Sequence, residues 1–466
     1  MQIPILNGIY TDSASDFRTS YPRNLVPVPK DNGIASGYLR PAEGIVQFGV
    51  GTGIDRGGIN WNSLCYRVMG DKLILVDYLG NYTELGTIPG IEQVTMTYSY
   101  DKLAIAADNK LYYWQAGVLS QVTDPDLGGV NTVLWVDGYF MTTDGTSLVV
   151  TELNDPFSVD PLKYGSSEVD PDPVKCLLKL RNEVYALNRY TIEVFHNIGG
   201  SGFPFQRVEG AAMQRGTFGA KTSAVFIENI AFLGSGRKEA PAVWLGSNGT
   251  TLKISTREID QILLEYSESI LSAAILETRL TNNQQLLYIH FTDKTLVYDA
   301  SASADTKTPV WYILTSSIVG DSAYRAFNFV WCYDKWLCGD RESSSHGYLT
   351  NTVATHYGNT IGWEFSTSIV YNNSKGALFN ELELVCLTGR TTLGTNPTIW
   401  TSYSVDGETW SQEKPRTLGL VGDRLKRITW LQQGHMRNWR CQKFRGNSDA
   451  LLSIARLEAS VEPLNV

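Results

Sequence analysis

Nine basic residues fall between Lys414 and Arg445 against a single acid, Asp423, a local balance of +8 that leaves −17 for the rest of a chain whose formal charge is −9. Arg424, Lys426 and Arg427 precede Trp430, and Arg437, Arg440, Lys443 and Arg445 surround Trp439. Guanidinium groups pair with phosphates, and interleaved aromatics add stacking. These six leading cations, Arg424, Lys426, Arg427, Arg437, Arg440 and Lys443, are therefore the candidate contacts to DNA or to a partner. A solvated strand face, or ion pairs to a partner protein, is the plainer reading of the same charges. The whole chain is acidic, with a pI near 5.2, which argues against a sequence-independent nucleic-acid binder.

Other constellations are weaker. Gly49-Val50-Gly51-Thr52-Gly53 with Gly57-Gly58 resembles a phosphate cradle, but the full Gly-x-Gly-x-x-Gly spacing is missing and no helical pattern comes after it. Turn-forming glycines are expected there. His196, His290, His346, His356 and His435 stand far apart without ligand spacing, and His290 lies in an apolar strand that reads as core. Neither a metal nor a cofactor is expected. Ser404-Val405-Asp406-Gly407-Glu408-Thr409-Trp410 resembles the Asp-box hairpin of sialidases, one residue short between Asp and Trp. Its Asp-Gly suits a tight turn and its Trp an anchor, both structural roles. Glycoside hydrolysis needs two converging carboxylates. No pair stands out, and most Asp residues sit in expected turns, where they cap backbone. An enzyme is not expected, and the alternative to a structural role is a carbohydrate-binding or glycan-hydrolysing propeller.

The elements that must position these residues read as all-β. Of 466 residues, 11% are aromatic and 42 are Gly, a balance that favours pleated surfaces and tight turns. Three prolines in Tyr21-Pro22-Arg23-Asn24-Leu25-Val26-Pro27-Val28-Pro29 predict an extended arm that lies across other structure or reaches toward a partner. Apolar strands then alternate with polar turns, at Met69–Leu73, Ser99–Leu103, Trp135–Tyr139, Leu180–Val184, Ile227–Ile230, Leu280–Gln284 and Cys332–Trp336. A new unit every 30 to 55 residues is the interval at which propeller blades recur, and about seven units are expected. A capping box at Ser255–Glu258 opens one inserted amphipathic helix carrying Ile259, Ile262, Leu263, Tyr266, Ile270 and Ala274. Beyond residue 360 the strands lengthen, as in Glu381-Leu382-Glu383-Leu384-Val385, and predict a β-sandwich-like domain. The expected division is an arm with first strands at 1–63, a β-propeller-like domain at 64–355 and a C-terminal β domain at 356–466.

Six scattered cysteines lack zinc or redox spacing and read as buried thiols of a protein made in a reducing cytoplasm. Met1 to Asp16 lacks a signal-peptide pattern, and no apolar run is long enough to span a membrane. The sequons at Asn81, Asn248 and Asn372 are therefore expected to be chance.

Several stretches together resemble the packaged-DNA stabilisation proteins, or tail accessory factors, of Salmonella-type short-tailed phages. They are Ser36-Gly37-Tyr38-Leu39-Arg40 with Gly44-Ile45, then Leu276-Glu277-Thr278-Arg279-Leu280 and Leu286-Leu287-Tyr288-Ile289-His290. Leu296-Val297-Tyr298-Asp299-Ala300-Ser301, Trp311, Tyr324-Arg325, Cys338-Gly339-Asp340 and Gly347-Tyr348-Leu349 continue in order. The resemblance covers roughly residues 20 to 350. It implies a hub or nozzle in the virion tail: a homo-oligomeric ring, a hexamer, beneath the portal and its adaptor. Such a ring would continue the DNA channel, retain packaged DNA, and present surfaces to tail fibres or tailspikes and to a needle or plug.

Overall fold

The computed structural model describes residues 1–3, 5, 21–30, 35–153, 155–281, 284–373 and 375–464. The Asn282-Asn283 turn, Ser374 of the third sequon and most of the N-terminal stretch read for a signal peptide lie outside them. Turn chemistry organises the strands. Asn62-Ser63, Asp108-Asn109, Asp137-Gly138, Ile227-Glu228, Asn248-Gly249 and Tyr333-Asp334 each hold two successive residues at positive φ. That is the geometry of a tight hairpin turn whose twist matches its strands.

Seven antiparallel meanders succeed one another along the chain. Blade 1 runs through Asp55–Trp61, Leu64–Met69, Lys72–Val76 and Tyr82–Thr87. The inner strands of blades 2 to 7 are Thr95–Tyr98, Thr132–Val136, Val174–Leu180, Ser223–Phe226, Ile275–Thr281 and Ala326–Cys332. Each inner strand contacts the next, and the seventh contacts the first, so the ring closes. Closure uses a strand from before blade 1: Gly44–Val50 pairs antiparallel with Ser345–Thr350 as the outer strand of blade 7. Apolar clusters fill the seams between neighbouring blades, Val68, Leu73, Leu103 and Ile105 between blades 1 and 2, for example. A strand such as Leu103–Ala107, apolar throughout, is buried on both faces because a blade lies on each side.

Three local readings are corrected. The Met69–Leu73 turn joins the second and third strands of its blade, whereas the other sequence-read turns join the first and second. The first hairpin of that blade turns at Asn62-Ser63. The expected single helix is two, α1 (Arg257–Leu264) and α2 (Glu268–Ser272), because Ser267 caps a second start by accepting from the Ile270 amide. Thr256, not Ser255, is the N-cap of α1, accepting from the Ile259 amide at 3.4 Å. Ser255 Oγ instead meets Asp260 at 2.6 Å. A third helix, α3 (Ala300–Thr306), is capped by Asp299.

The second domain is a sandwich of two sheets. One contains Gly362–Ser366, Trp439–Asn447, Thr398–Ser404 and Lys414–Thr417; the other is built on the 11-residue strands Ala377–Leu387 and Ser453–Pro463. Trp363, Phe365, Phe379, Leu382, Trp430, Phe444 and Leu457 fill the space between them. The N-terminal strands complete this domain: Gln2–Ile3 and Gly37–Pro41 pair with Ser453–Pro463, and Leu25–Pro29 pairs with Gly37–Pro41. Of the two possibilities for the proline segment, it lies across other structure. Leu25–Pro29 is an edge strand, where prolines without donors are tolerated.

Asn24 ties the domains together. At φ +53°, it donates from its side chain to the Gly362 carbonyl at 2.6 Å and from its backbone to the Ile313 carbonyl at 2.8 Å, while its Oδ1 accepts from the Thr315 amide at 2.9 Å.

Candidate interaction surfaces

The fold divides the basic segment between the two sheets: Lys414–Thr417 and Trp439–Asn447 lie in one, and Ile428–Leu431 and His435–Met436 pair with Ala377–Leu387 in the other. Arg424 is exposed in the loop after Lys414–Thr417, and Arg437 is exposed in the turn before Trp439–Asn447. Lys426 donates to Thr417 Oγ1 at 2.6 Å. Arg427 pairs with Glu383 at 2.5 Å and Glu381 at 3.7 Å, which raises its pKa. Lys443 Nζ sits 4.5 Å from the Trp410 ring. Arg445 forks onto both oxygens of Glu413 at 2.6 and 2.5 Å and stacks over Trp400.

Arg440 is a correction. It is 1% exposed, stacked 3.8 Å from the Tyr403 ring and 4.2 Å from the Phe379 ring. Its guanidinium donates to the Gln433 carbonyl at 2.6 Å and to Gln442 Oε1 at 2.9 Å. Burial pushes its pKa down to about 10. It shares strand parity with Gln442 and Phe444, all buried, so it faces the interior and cannot meet a phosphate. Of the nine cations only Arg440 is buried; Arg416, Arg424, Arg427 and Arg437 are exposed and Lys414, Lys426, Lys443 and Arg445 half-buried, with Arg427 and Arg445 paired to carboxylates.

Carboxylates that could have been catalytic are occupied by backbone. Asp406 accepts from the Glu408 and Thr409 amides at 3.0 and 2.8 Å and from the Thr409 hydroxyl, which hold its carboxyl well below the usual range. Asp77, Asp144 and Asp172 likewise accept from amides of their own or adjoining turns. The Asp-box-like segment is a hairpin cap, with Gly407 at φ +81°. Gly49 is not a turn glycine: a Cβ there would lie 2.0 Å from the Gly80 carbonyl, so it permits close strand approach. Among the described residues, no group of three His, Cys, Asp or Glu is placed to hold a metal. All six cysteines are free thiols, five of them buried.

Polar side chains bridge blades across the propeller's axis. Asp55 and Arg67 of blade 1 form a buried ion pair at 2.5 Å. Asp55 also accepts from the Asn328 side chain of blade 7 at 2.6 Å. Glu277 of blade 6 accepts from the Asn328 amide at 2.6 Å and stands 3.4 Å from His290. Lys221 of blade 5 donates to the Val94 carbonyl, at the start of blade 2, at 2.6 Å. Burial pushes the Lys221 pKa down to about 8. No local motif could have announced this network; its members come from five blades, at positions far apart in the chain.

Residues 1–354 match the family described as bacteriophage P22 Gp10, beta-propeller, and residues 362–462 match bacteriophage P22 Gp10, beta-sandwich. The tail hub protein gp10 of Salmonella phage P22 is 26% identical over 460 residues, covering 94% of each chain. The structure refines the first boundary, since strands before Pro41 belong to the sandwich sheet. Solved structures align more loosely. The N-terminal domain of Nup159 is 9% identical with a TM-score of 0.40, over 70% of this chain and 98% of its own. The Neurospora crassa Pan2 WD40 domain is 10% identical with a TM-score of 0.41, over 66% and 95%.

Proposed function

The chain belongs to the bacteriophage P22 Gp10 family, and on that premise we propose that it is a structural tail hub of a phage virion. The supporting observation is that the likeness to a tail hub protein runs through both domains, in order, over 94% of each chain. In this reading the chain is made in the host cytoplasm and assembles as a hexameric ring below a portal and adaptor. The ring continues the DNA channel, retains packaged DNA, and carries fibres or spikes and a needle. Its role is structural, not catalytic.

The contacts across the axis bear on where DNA would run. A bore crossed by Lys221 and Val94 leaves no passage for a duplex, so the channel in this proposal lies between subunits. A closed rotational ring supplies such a passage. Arg424, Lys426 and Arg437 are the cations proposed to face DNA or a neighbouring protein there; Arg440 is not among them. The glycan-hydrolysing alternative loses its motif, because Asp406 is engaged by its own turn.

Native mass spectrometry and cryo-EM of the purified chain mixed with portal and adaptor proteins test the hub. The expected result is a ring-shaped complex. A stable monomer with affinity for neither would overturn it.

A further inference from the structure

One face of the propeller carries an open groove that none of these roles uses. Its volume is about 810 Å³, and it is formed where the inner strands of blades 1, 2 and 3 end. Trp61, Tyr98, Tyr100 and Trp135 supply rings, and Asn62 and Thr97 stand among the amide and hydroxyl groups between them. No charged side chain and no aliphatic one lines it.

The rings are held by their strands and turns. Trp61 packs against Tyr66 at 5.6 Å and forms a wall. Trp135 is backed by Lys179, whose Nζ lies 5.0 Å from the ring. Tyr100 stands 96% exposed at a turn that Ser99 and Lys102 close by a 2.8 Å backbone bond, and Tyr98 beneath it is 47% exposed. The charges nearest the turn, Asp101 and Lys102, neutralise each other at 2.5 Å. Exposed aromatic rings in succession are costly to leave in water and mark a binding surface.

We infer that this groove binds a neutral polysaccharide chain. An uncharged lining selects a neutral ligand, because a buried charge left unpaired is penalised. Aromatic planes suit the C–H faces of sugar rings, while amides and hydroxyls suit their hydroxyl groups. The open, multi-blade shape suits a polymer segment. A docking site for a folded protein would be expected to join Arg or Met to its aromatic anchors, and this lining carries neither.

The test is native affinity electrophoresis of the full-length chain through gels containing dextran, yeast mannan or amylose, with dextran sulfate as the charge control. Retardation by at least one neutral polymer is expected, weakened about tenfold or more in the double variant Tyr98→Ala/Tyr100→Ala. Tyr82→Ala, an exposed tyrosine on the outer strand of blade 1, is expected to behave as the unaltered chain. Unchanged mobility with all three neutral polymers would overturn the inference, as would equal retardation of the double variant. Quenching of tryptophan fluorescence by a polyproline peptide, with no response to the polysaccharides, would assign the groove to a peptide and overturn it as well. Because Tyr100 is almost wholly exposed, Tyr100→Ala alone gives a reading free of folding defects.

Discussion

The propeller and the sandwich treat buried charge in opposite ways. At the propeller axis, Asp55, Arg67, Asn328, Glu277 and His290 form charge-bearing links between blades. In the sandwich, Arg440 is surrounded by neutral groups, two aromatic faces and two glutamine oxygens. The contrast reflects how each domain fixes its register. Long paired strands such as Ala377–Leu387 and Ser453–Pro463 set the sandwich's alignment by backbone bonding alone. Blades meet through side chains, and apolar seams are tolerant of sliding. Directional polar contacts at the axis remove that freedom. Bulges at Asp55/Gly57 and Phe327/Val330 aim Asp55 and Asn328 at each other.

The most disruptive way to probe this contrast is Asp55→Ala, which strands the Arg67 guanidinium without its carboxylate. A loss of about 3–5 kcal/mol is expected in denaturant unfolding. Restoring much of that stability with Asp55→Leu/Arg67→Met would show that the pair contributes register more than energy. A loss below about 1 kcal/mol for the single change would break the comparison.

Acid should weaken the propeller next. Burial pushes His346 down to about 4 and His356 to about 3, so both are neutral when folded near neutrality. Unfolded histidine binds its proton near pH 6.5. The unfolded state therefore takes up protons first, and stability present above about pH 6.5 declines as pH falls toward 4. The slope approaches about 1.4 kcal/mol per pH unit for each histidine. Unfolding curves between pH 7.5 and 5 should flatten in His346→Gln/His356→Gln.

Asn24→Ala sharpens the comparison at the joint between domains. It removes the side chain's hydrogen bonds to Gly362 and Thr315 and places alanine at φ +53°, with an expected cost of about 1–3 kcal/mol. Calorimetry should then separate one thermal transition into two. The last effect is expected inside the sandwich: Arg440→Met leaves the buried Gln433 carbonyl and Gln442 Oε1 without their donor, at an expected cost of about 1–3 kcal/mol in denaturant unfolding, offset in part because a desolvated cation is removed.

Local chemistry was readable from the residues. Paired Asp, Asn and Gly turns announced the meanders, and the alternation around Leu382 and Leu384 announced the sandwich strands. Arg440 could have been read too: its parity with Phe444 places it inside, whereas counting charges along the segment treats inward and outward residues alike. The split between α1 and α2 was hidden because Ile259 to Ala274 keep helical spacing across the break, and only the cap at Ser267 reveals it. The pairing of Gln2–Ile3 with Glu458 and Leu457 leaves no local trace, since any edge strand of suitable pattern could have filled that place. Likewise, the polar axis and the aromatic groove are each assembled from separate blades, and no stretch of sequence displays them.

The return of the N-terminal strands has a kinetic meaning. Gly44–Val50 waits some three hundred residues for Ser345–Thr350, and Gln2–Ile3 and Gly37–Pro41 wait still longer for Ser453–Pro463. Blade 7 cannot close until Ser345–Thr350 has been made, nor the sandwich sheet until Ser453–Pro463 has. Loop-closure entropy over such distances slows folding and leaves unpaired strand edges exposed meanwhile. Refolding should accordingly be slow and concentration-sensitive, and the finished molecule resistant to unzipping from either terminus.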